Sequence, residues 1–292
     1  MAARPQEPIF VPMIASLRTP ARIAGAACVA LALSILPASA ANRDQVEAFL
    51  EVTGFDVSLE SLKFSAEDAP KMLGIDAGVF GYSWKKLTGD IFDVALMHDM
   101  AVDMLEETLD DDKLSHAADF YATDLGQRLV ATENAAHMDN NDDQKREEGE
   151  ALVAKMVETG SPRLGMFKRM NAAIDGSGSA VRAMQEVQMR FLMAAASAGV
   201  IELKMDPAEI EAMMKKQEPQ LRMAVAESAL ANSAYVYRDF SDEEVEAYTK
   251  ALEDPVMMEV YELMNAIQYE IMANRFEALA GRMSELDPGQ DI

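Results

Sequence analysis

The sequence predicts an all-α fold: a helical bundle or array built from two weakly related helical repeats and preceded by a cleaved signal peptide. Three observations carry that expectation. Ala, Glu, Leu and Met dominate while β-branched residues are sparse, a composition that favours helix. Apolar residues recur at three- and four-residue spacing, the period of one helix face. No run alternates polar and apolar as a half-buried strand would, and no turn dipeptide joins two such runs.

The elements follow in chain order. Arg4, Arg18 and Arg22 precede an apolar run from Ile23 to Leu36. A membrane-spanning helix needs roughly 20 apolar residues, so this run is too short to be one. It ends in Pro37-Ala38-Ser39-Ala40, where Ala38 and Ala40 make the small-residue pattern of a signal peptidase site. Residues 1–40 are therefore expected to be cut away near Ala40, leaving a periplasmic or secreted chain with no integral membrane segment. The remainder divides into helical repeat 1 over 41–140, an acidic linker over 141–150, helical repeat 2 over 151–284 and a flexible tail over 285–292.

Caps punctuate the helices. Asn42 opens the first, which Gly54 closes after Thr53. Ser65 and Asp68 bracket a second start, ended by Gly74, and a long helix is expected from Asp90 to Leu109. Ser161-Pro162 and Asp206-Pro207 each place a cap residue before a proline at the first helical position. Asp206 with Glu209, and Ser241 with Glu244, have capping-box spacing, and Phe240 and Val245 are placed as a hydrophobic staple. Asp254-Pro255 starts a final helix reaching about Met283. Gly176-Ser177-Gly178-Ser179 reads as a flexible turn.

The chain has 26 Lys and Arg against 50 Asp and Glu, a net charge of −24, and one cysteine, Cys28. Loss of residues 1–40 removes three Arg, one Glu and that cysteine, leaving a net charge of −26 and no thiol. So acidic a chain is no nucleic-acid binder, because phosphate recognition needs a basic face. An intrachain disulfide has no partner cysteine.

Candidate chemistry is thin. Asp139, Asn141, Asp143, Glu147 and Glu150 have the spacing of calcium-loop ligands. Gln144, however, stands where such a loop needs glycine, and the stretch is read as a solvated linker. His98, His116 and His137 form no pair with metal-ligand spacing and are read as surface or cap residues. Met213-Met214, Met257-Met258, Met184 and Met189 fall within helices and are read as core filling or an adaptable binding groove, not a copper site. No nucleophile elbow or glycine-rich phosphate loop is present, so no catalytic residue, metal ligand or cofactor is assigned and the chain is not read as an enzyme.

The halves also resemble each other. Val46–Gly54 aligns with Leu152–Gly160 through Ala48, Thr53 and Gly54 against Ala154, Thr159 and Gly160, and Leu114, Tyr121, Leu125 and Leu129 align in apolar pattern with Val245, Leu252, Val256 and Val260. The stretch Leu114–Leu129, with Phe120-Tyr121 followed by Gly126, resembles the core of domain of unknown function 2059. The opening Phe240-Ser241-Asp242-Glu243-Glu244 resembles a second, divergent copy, in which Ala251-Leu252 replace Phe-Tyr and Met257 replaces Gly. The resemblance implies an exported, helical bacterial protein and carries no activity. Phe120-Tyr121 is read as packing on the next helix, with Gly126 admitting a close backbone approach. The functional expectation is a non-enzymatic interaction or structural role with a protein partner; the alternative is a small-ligand or cation-binding envelope protein, using the acidic stretch or a pocket between the repeats.

Overall fold

The computed structural model describes residues 42–75 and 77–286. The expected leader, with Ile23–Leu36 and the cut near Ala40, lies outside these residues, as do residues 287–292 of the tail. Twelve α-helices and three short 3-10 segments make up the regular structure of the described residues, with no strand. The all-α expectation holds. No described helix is long and apolar enough to cross a membrane.

Helix α1 (Arg43–Thr53) is opened by a capping box between Asn42 and Gln45 and closed by Gly54 at φ 69°. Helix α2 (Phe55–Glu67) follows directly. Ser65 thus lies inside α2, and Asp68 both ends that helix and opens the short segment that follows. Pro70 lacks an N–H and disfavours α geometry at the preceding residue, so the chain continues as a 3-10 segment, Ala69–Leu73, that Gly74 terminates at φ 73°.

The helix expected from Asp90 to Leu109 is instead two, α3 (Gly81–Ile91) and α4 (Val94–Thr108). Phe92 leaves helical geometry at ψ 47°, and the Asp93 side chain accepts from Leu96 N at 2.9 Å. The cause is tertiary. Phe92 is buried edge-on against Phe276, ring centroids 5.3 Å apart, a contact that sequence spacing does not reveal.

Helices α5 (Asp111–Tyr121) and α6 (Asp124–Met138) are capped by Asp110 and Thr123. Helix α7 spans Asp142–Thr159. Residues 142–150, expected as linker, therefore form its first half and only 139–141 connect. Asp142 and Asp143 favour the positive N-terminal end of a helix, which a reading of these residues as merely polar overlooks. Helix α8 (Arg163–Asp175) follows Ser161, whose Oγ accepts from Arg163 N at 3.3 Å. Helices α9 (Ser179–Ser197) and α10 (Pro207–Val236) come next, then α11 (Asp242–Leu252) and α12 (Pro255–Arg282). The Asp206–Glu209 and Ser241–Glu244 capping boxes form as expected.

Helix α12 is the axis of the packing. It lies along α9 and also touches α2, α3, α4, α5, α8 and α11. Its buried residues include Met257, Val260, Ile267, Ile271, Phe276 and Leu279. Helices α7 and α10 form a second long pair that crosses at Gly149, where a β-carbon would stand 2.7 Å from Ala231 C.

Gly126 sets the angle between α5 and α6. A β-carbon there would lie 2.6 Å from Tyr121 Cα and closer still to Phe120 O. Backbone cannot yield as a flexible side chain can, so Gly126→Ala should destabilise the protein by about 1–3 kcal/mol. Gly89→Ala, where a β-carbon meets nothing within 4 Å, should instead be neutral or stabilising by up to about 1 kcal/mol. Urea unfolding of the two variants measures the contrast, and a neutral Gly126→Ala would contradict the close approach.

Candidate functional site: a part-buried glutamate among four tyrosines

Helix α6 buries a face that carries Leu129 and Val130. Glu133 follows one turn later on that face, so the fold carries a carboxylate inward. Four helices each bring a tyrosine to meet it: Tyr121 ends α5, Tyr237 closes α10, Tyr248 lies in α11 and Tyr261 in α12. Tyr121, Tyr237 and Tyr248 are buried, Tyr248 at 1% exposure.

The hydroxyls are ordered by proton counting. Tyr237 and Tyr248 donate to Glu133 Oε1, at 2.7 and 3.1 Å. Each phenol has one proton. Tyr248 therefore accepts from Tyr261 at 3.1 Å or from Tyr121 at 3.4 Å, and the Tyr121 and Tyr261 hydroxyls are bonded to each other. The result is a network that runs from Tyr121 and Tyr261 through Tyr248 to Glu133, with Tyr237 entering from the other side.

Burial sets the electrostatics. It pushes the Glu133 carboxyl above the ordinary value of 4.5, against the two tyrosine hydrogen bonds that favour the charged form. It also raises Tyr121, Tyr237 and Tyr248 well above 10 and Tyr261 to about 12, with the nearby Glu133 carboxylate adding to each. The phenols stay protonated at neutral pH and act as fixed donors.

Two cavities flank this cluster and share Glu133, His137 and Tyr261 in their walls. The larger, about 340 Å³, is bounded by Ser61 and Phe64 of α2, the 139–140 connection, Lys145 of α7, Asn232 of α10 and the tyrosines. The smaller, about 130 Å³, lies toward Phe49, Thr53 and Gln268. Lys145 Nζ sits on the C-terminal end of α6. It donates to Ala136 O at 3.0 Å and to Asp139 O, and pairs with Asp142 Oδ1 at 2.7 Å. His137 lines both cavities, and desolvation together with the Lys145 charge lowers its pKa from 6.5.

The residues singled out from sequence are distributed differently. Phe120 packs as expected, stacked on Tyr248 with centroids 5.7 Å apart, but the Tyr121 hydroxyl belongs to the polar network. His98 Nδ1 lies 2.8 Å from Asp56 Oδ1, and His116 Nε2 lies 3.2 Å from the α12 cap Asp254. Asp143, Glu147 and Glu150 run along α7, and Arg146 pairs with both Asp143 and Glu150. Asp139 Oδ1 accepts from Asn141. Among the described residues no group of three or more His, Cys, Asp or Glu is arranged to hold a metal ion. Met214 and Met257 are core while Met213 and Met258 are exposed; the two cavities contain a single methionine, Met264, so they form no methionine-lined groove.

Sequence reasoning missed Glu133, Tyr237, Tyr248 and Tyr261. One signal was available. Glu133 is an acidic residue three and four positions beyond Val130 and Leu129, inside the apolar stripe of α6, and such a residue needs a partner.

Residues 96–155 match the model of a family described as uncharacterized protein conserved in bacteria (DUF2059). That span holds Tyr121, Glu133, His137 and Lys145, and ends before the second segment that resembles the family. No curated protein and no solved structure matches the chain.

Two variants test the cluster. A carboxyl whose folded pKa is raised holds its proton better when folded, so its contribution to stability falls as pH rises from 4.5 through the folded value. Glu133→Gln keeps an acceptor for both hydroxyls and removes the ionisation. It should therefore gain on wild type as pH rises above 4.5, with the gap constant below it; parallel melting curves across pH would refute a raised pKa. Tyr248→Phe removes one donor to Glu133 and the acceptor for the hydroxyl pair of Tyr121 and Tyr261, and should cost about 1–3 kcal/mol in denaturant unfolding.

Proposed function

We propose that this chain, a member through residues 96–155 of the family of uncharacterized proteins conserved in bacteria (DUF2059), is an exported, non-enzymatic protein that binds a small ligand in the bacterial envelope. The observation that carries the reading is the cavity of about 340 Å³ whose wall combines α2, α6 and α7 with α10, α11 and α12. Its volume is at the small end of ligand sites, roughly 300–1,000 Å³. Such sites hold their ligands through convergent polar groups, and Glu133 with the hydroxyls of Tyr237, Tyr248 and Tyr261 supplies them.

Export rests on the leader pattern that ends at Ala40. We read the chain as an internal duplication, with the pocket between its two segments. Helices α5 and α11 have 11 residues each, and equal numbers of residues separate their two ends, their caps Asp110 and Ser241, and the caps Thr123 and Asp254 that follow.

A second reading, docking of a partner helix, is favoured by a groove of about 480 Å³ beside α8 and α10, where Ala172, Val181, Val225 and Leu230 contribute apolar surface.

Thermal unfolding against a panel of small amines, sugars, amino acids and divalent ions separates the two. A ligand at 100 times its Kd should add about 2.7 kcal/mol, a shift of about 5–10 °C for a protein of this size. Ser61→Phe, which puts a ring into the cavity, should abolish that shift. A panel without any shift would sink the ligand-binding reading and leave docking.

A further inference from the structure

We propose that the larger cavity is selective for small organic cations, with a ligand ammonium group seated on Glu133 Oε2; this deepens the ligand-binding reading and rests on it. The argument is a count of donors against acceptors. Tyr121, Tyr261, Tyr248 and Tyr237 have one hydroxyl proton each, and the network that ends on Glu133 Oε1 uses all four. The three protons of Lys145 Nζ go to Ala136 O, Asp139 O and Asp142 Oδ1. Ser61 Oγ donates to Ser58 O at 2.7 Å.

What these groups still offer a ligand is lone pairs. The strongest acceptor is Glu133 Oε2. It takes no hydrogen bond from any described residue, and it is not among the sealed, unpartnered side-chain atoms. The remaining donors are weak by comparison: His137, the amides of Asn140 and Asn232, and the Ser65 hydroxyl. A wall that is rich in acceptors and poor in donors recognises a ligand that brings protons.

Formal charge selects among such ligands. Glu133, Asp139 and Asp142 line the cavity against Lys145 alone, and Lys145 is already paired with Asp142. An anion would meet carboxylates with no free cation. A neutral polyol can hydrogen-bond to Oε2 but leaves its charge unmatched, whereas an ammonium group satisfies both. The rings of Phe64, Tyr237, Tyr248 and Tyr261 border the same space and suit the alkyl or methylated part of such a ligand. The net charge of −24 draws cations toward the protein before they bind.

The test uses three probes that share a four-carbon backbone: putrescine, butane-1,4-diol and succinate. Choline is added as a methylated cation. Titration calorimetry and thermal unfolding of the purified protein are run at physiological salt, which screens diffuse attraction to the acidic surface. The expected result is binding of putrescine or choline with a rise in Tm, and none for the diol or succinate. Glu133→Gln should keep the helical circular dichroism of wild type and weaken cation binding about tenfold or more. Asp139→Asn, at the edge of the cavity, should weaken it less.

If the diol or succinate binds as well as putrescine and Glu133→Gln or Ser61→Phe removes that binding, the cavity reading stands and the cation selectivity is overturned. If a cation binds equally to wild type, Glu133→Gln and Ser61→Phe, it binds elsewhere and both fall. If neither cation shifts Tm or gives heat at millimolar concentration, the proposal is overturned.

Discussion

A long helix with buried residues from end to end must be covered along its length, and α12 imposes that constraint on the whole molecule. Its 28 residues run about 42 Å at the usual rise. Met257 and Val260 near one end, Ile267 and Ile271 in the middle, and Phe276 and Leu279 toward the other are all buried, so partners are required along its length. Helix α9 covers one side, and α3, α4, α5, α8 and α11 close most of the rest. The break between α3 and α4 follows from this. A single straight helix through Phe92 would carry that ring away from Phe276, and the chain gives up helical geometry at one residue to keep the contact.

Enclosing α12 with many other helices brings several helix ends together, and part of the polar cluster lies among such ends. Tyr121 is the last residue of α5, Tyr237 caps the C-terminus of α10, and His137 and Lys145 sit at the α6–α7 junction. Two glycines make the junctions tight enough. Gly126 brings α6 against the end of α5, and Gly149 lets α7 cross α10 at Ala231. Were either crossing opened by a β-carbon, the hydroxyls around Glu133 would separate, since each is carried on a different helix.

The cluster also shows how an acidic group is kept inside such a bundle. Glu133 is too far from any cation in the cluster to be neutralised by one, and Lys145 is committed to carbonyls and to Asp142. Two phenols donating to one oxygen are the compensation, and they only partly offset the desolvation, because its pKa remains raised. A carboxyl held this way keeps one oxygen saturated and one oxygen open. That asymmetry distinguishes it from the surface carboxylates paired with Arg43, Arg146, Arg169 or Arg190, which form ordinary ion pairs and line no shared cavity with it.

The sequence alone determined the fold class and the starts of α1, α10, α11 and α12, because caps act locally: Asn42, Asp206, Ser241 and Asp254 each satisfy backbone N–H groups within three residues of themselves. It determined the function of Gly54 and Gly126 for the same reason, as turn and close-approach positions. It did not reveal the break at Phe92 or the helical state of 142–150; the first depends on Phe276, which comes far later in the chain, and the second on electrostatics at a helix terminus. The candidate site was legible only as a trace, an acidic residue at Glu133 within an apolar stripe. Which hydroxyls would answer it was decided by the tertiary structure. From sequence Tyr121 is read as packing and Tyr237, Tyr248 and Tyr261 do not stand out, and only the packing of α5, α10, α11 and α12 around α6 brings their oxygens to one carboxylate.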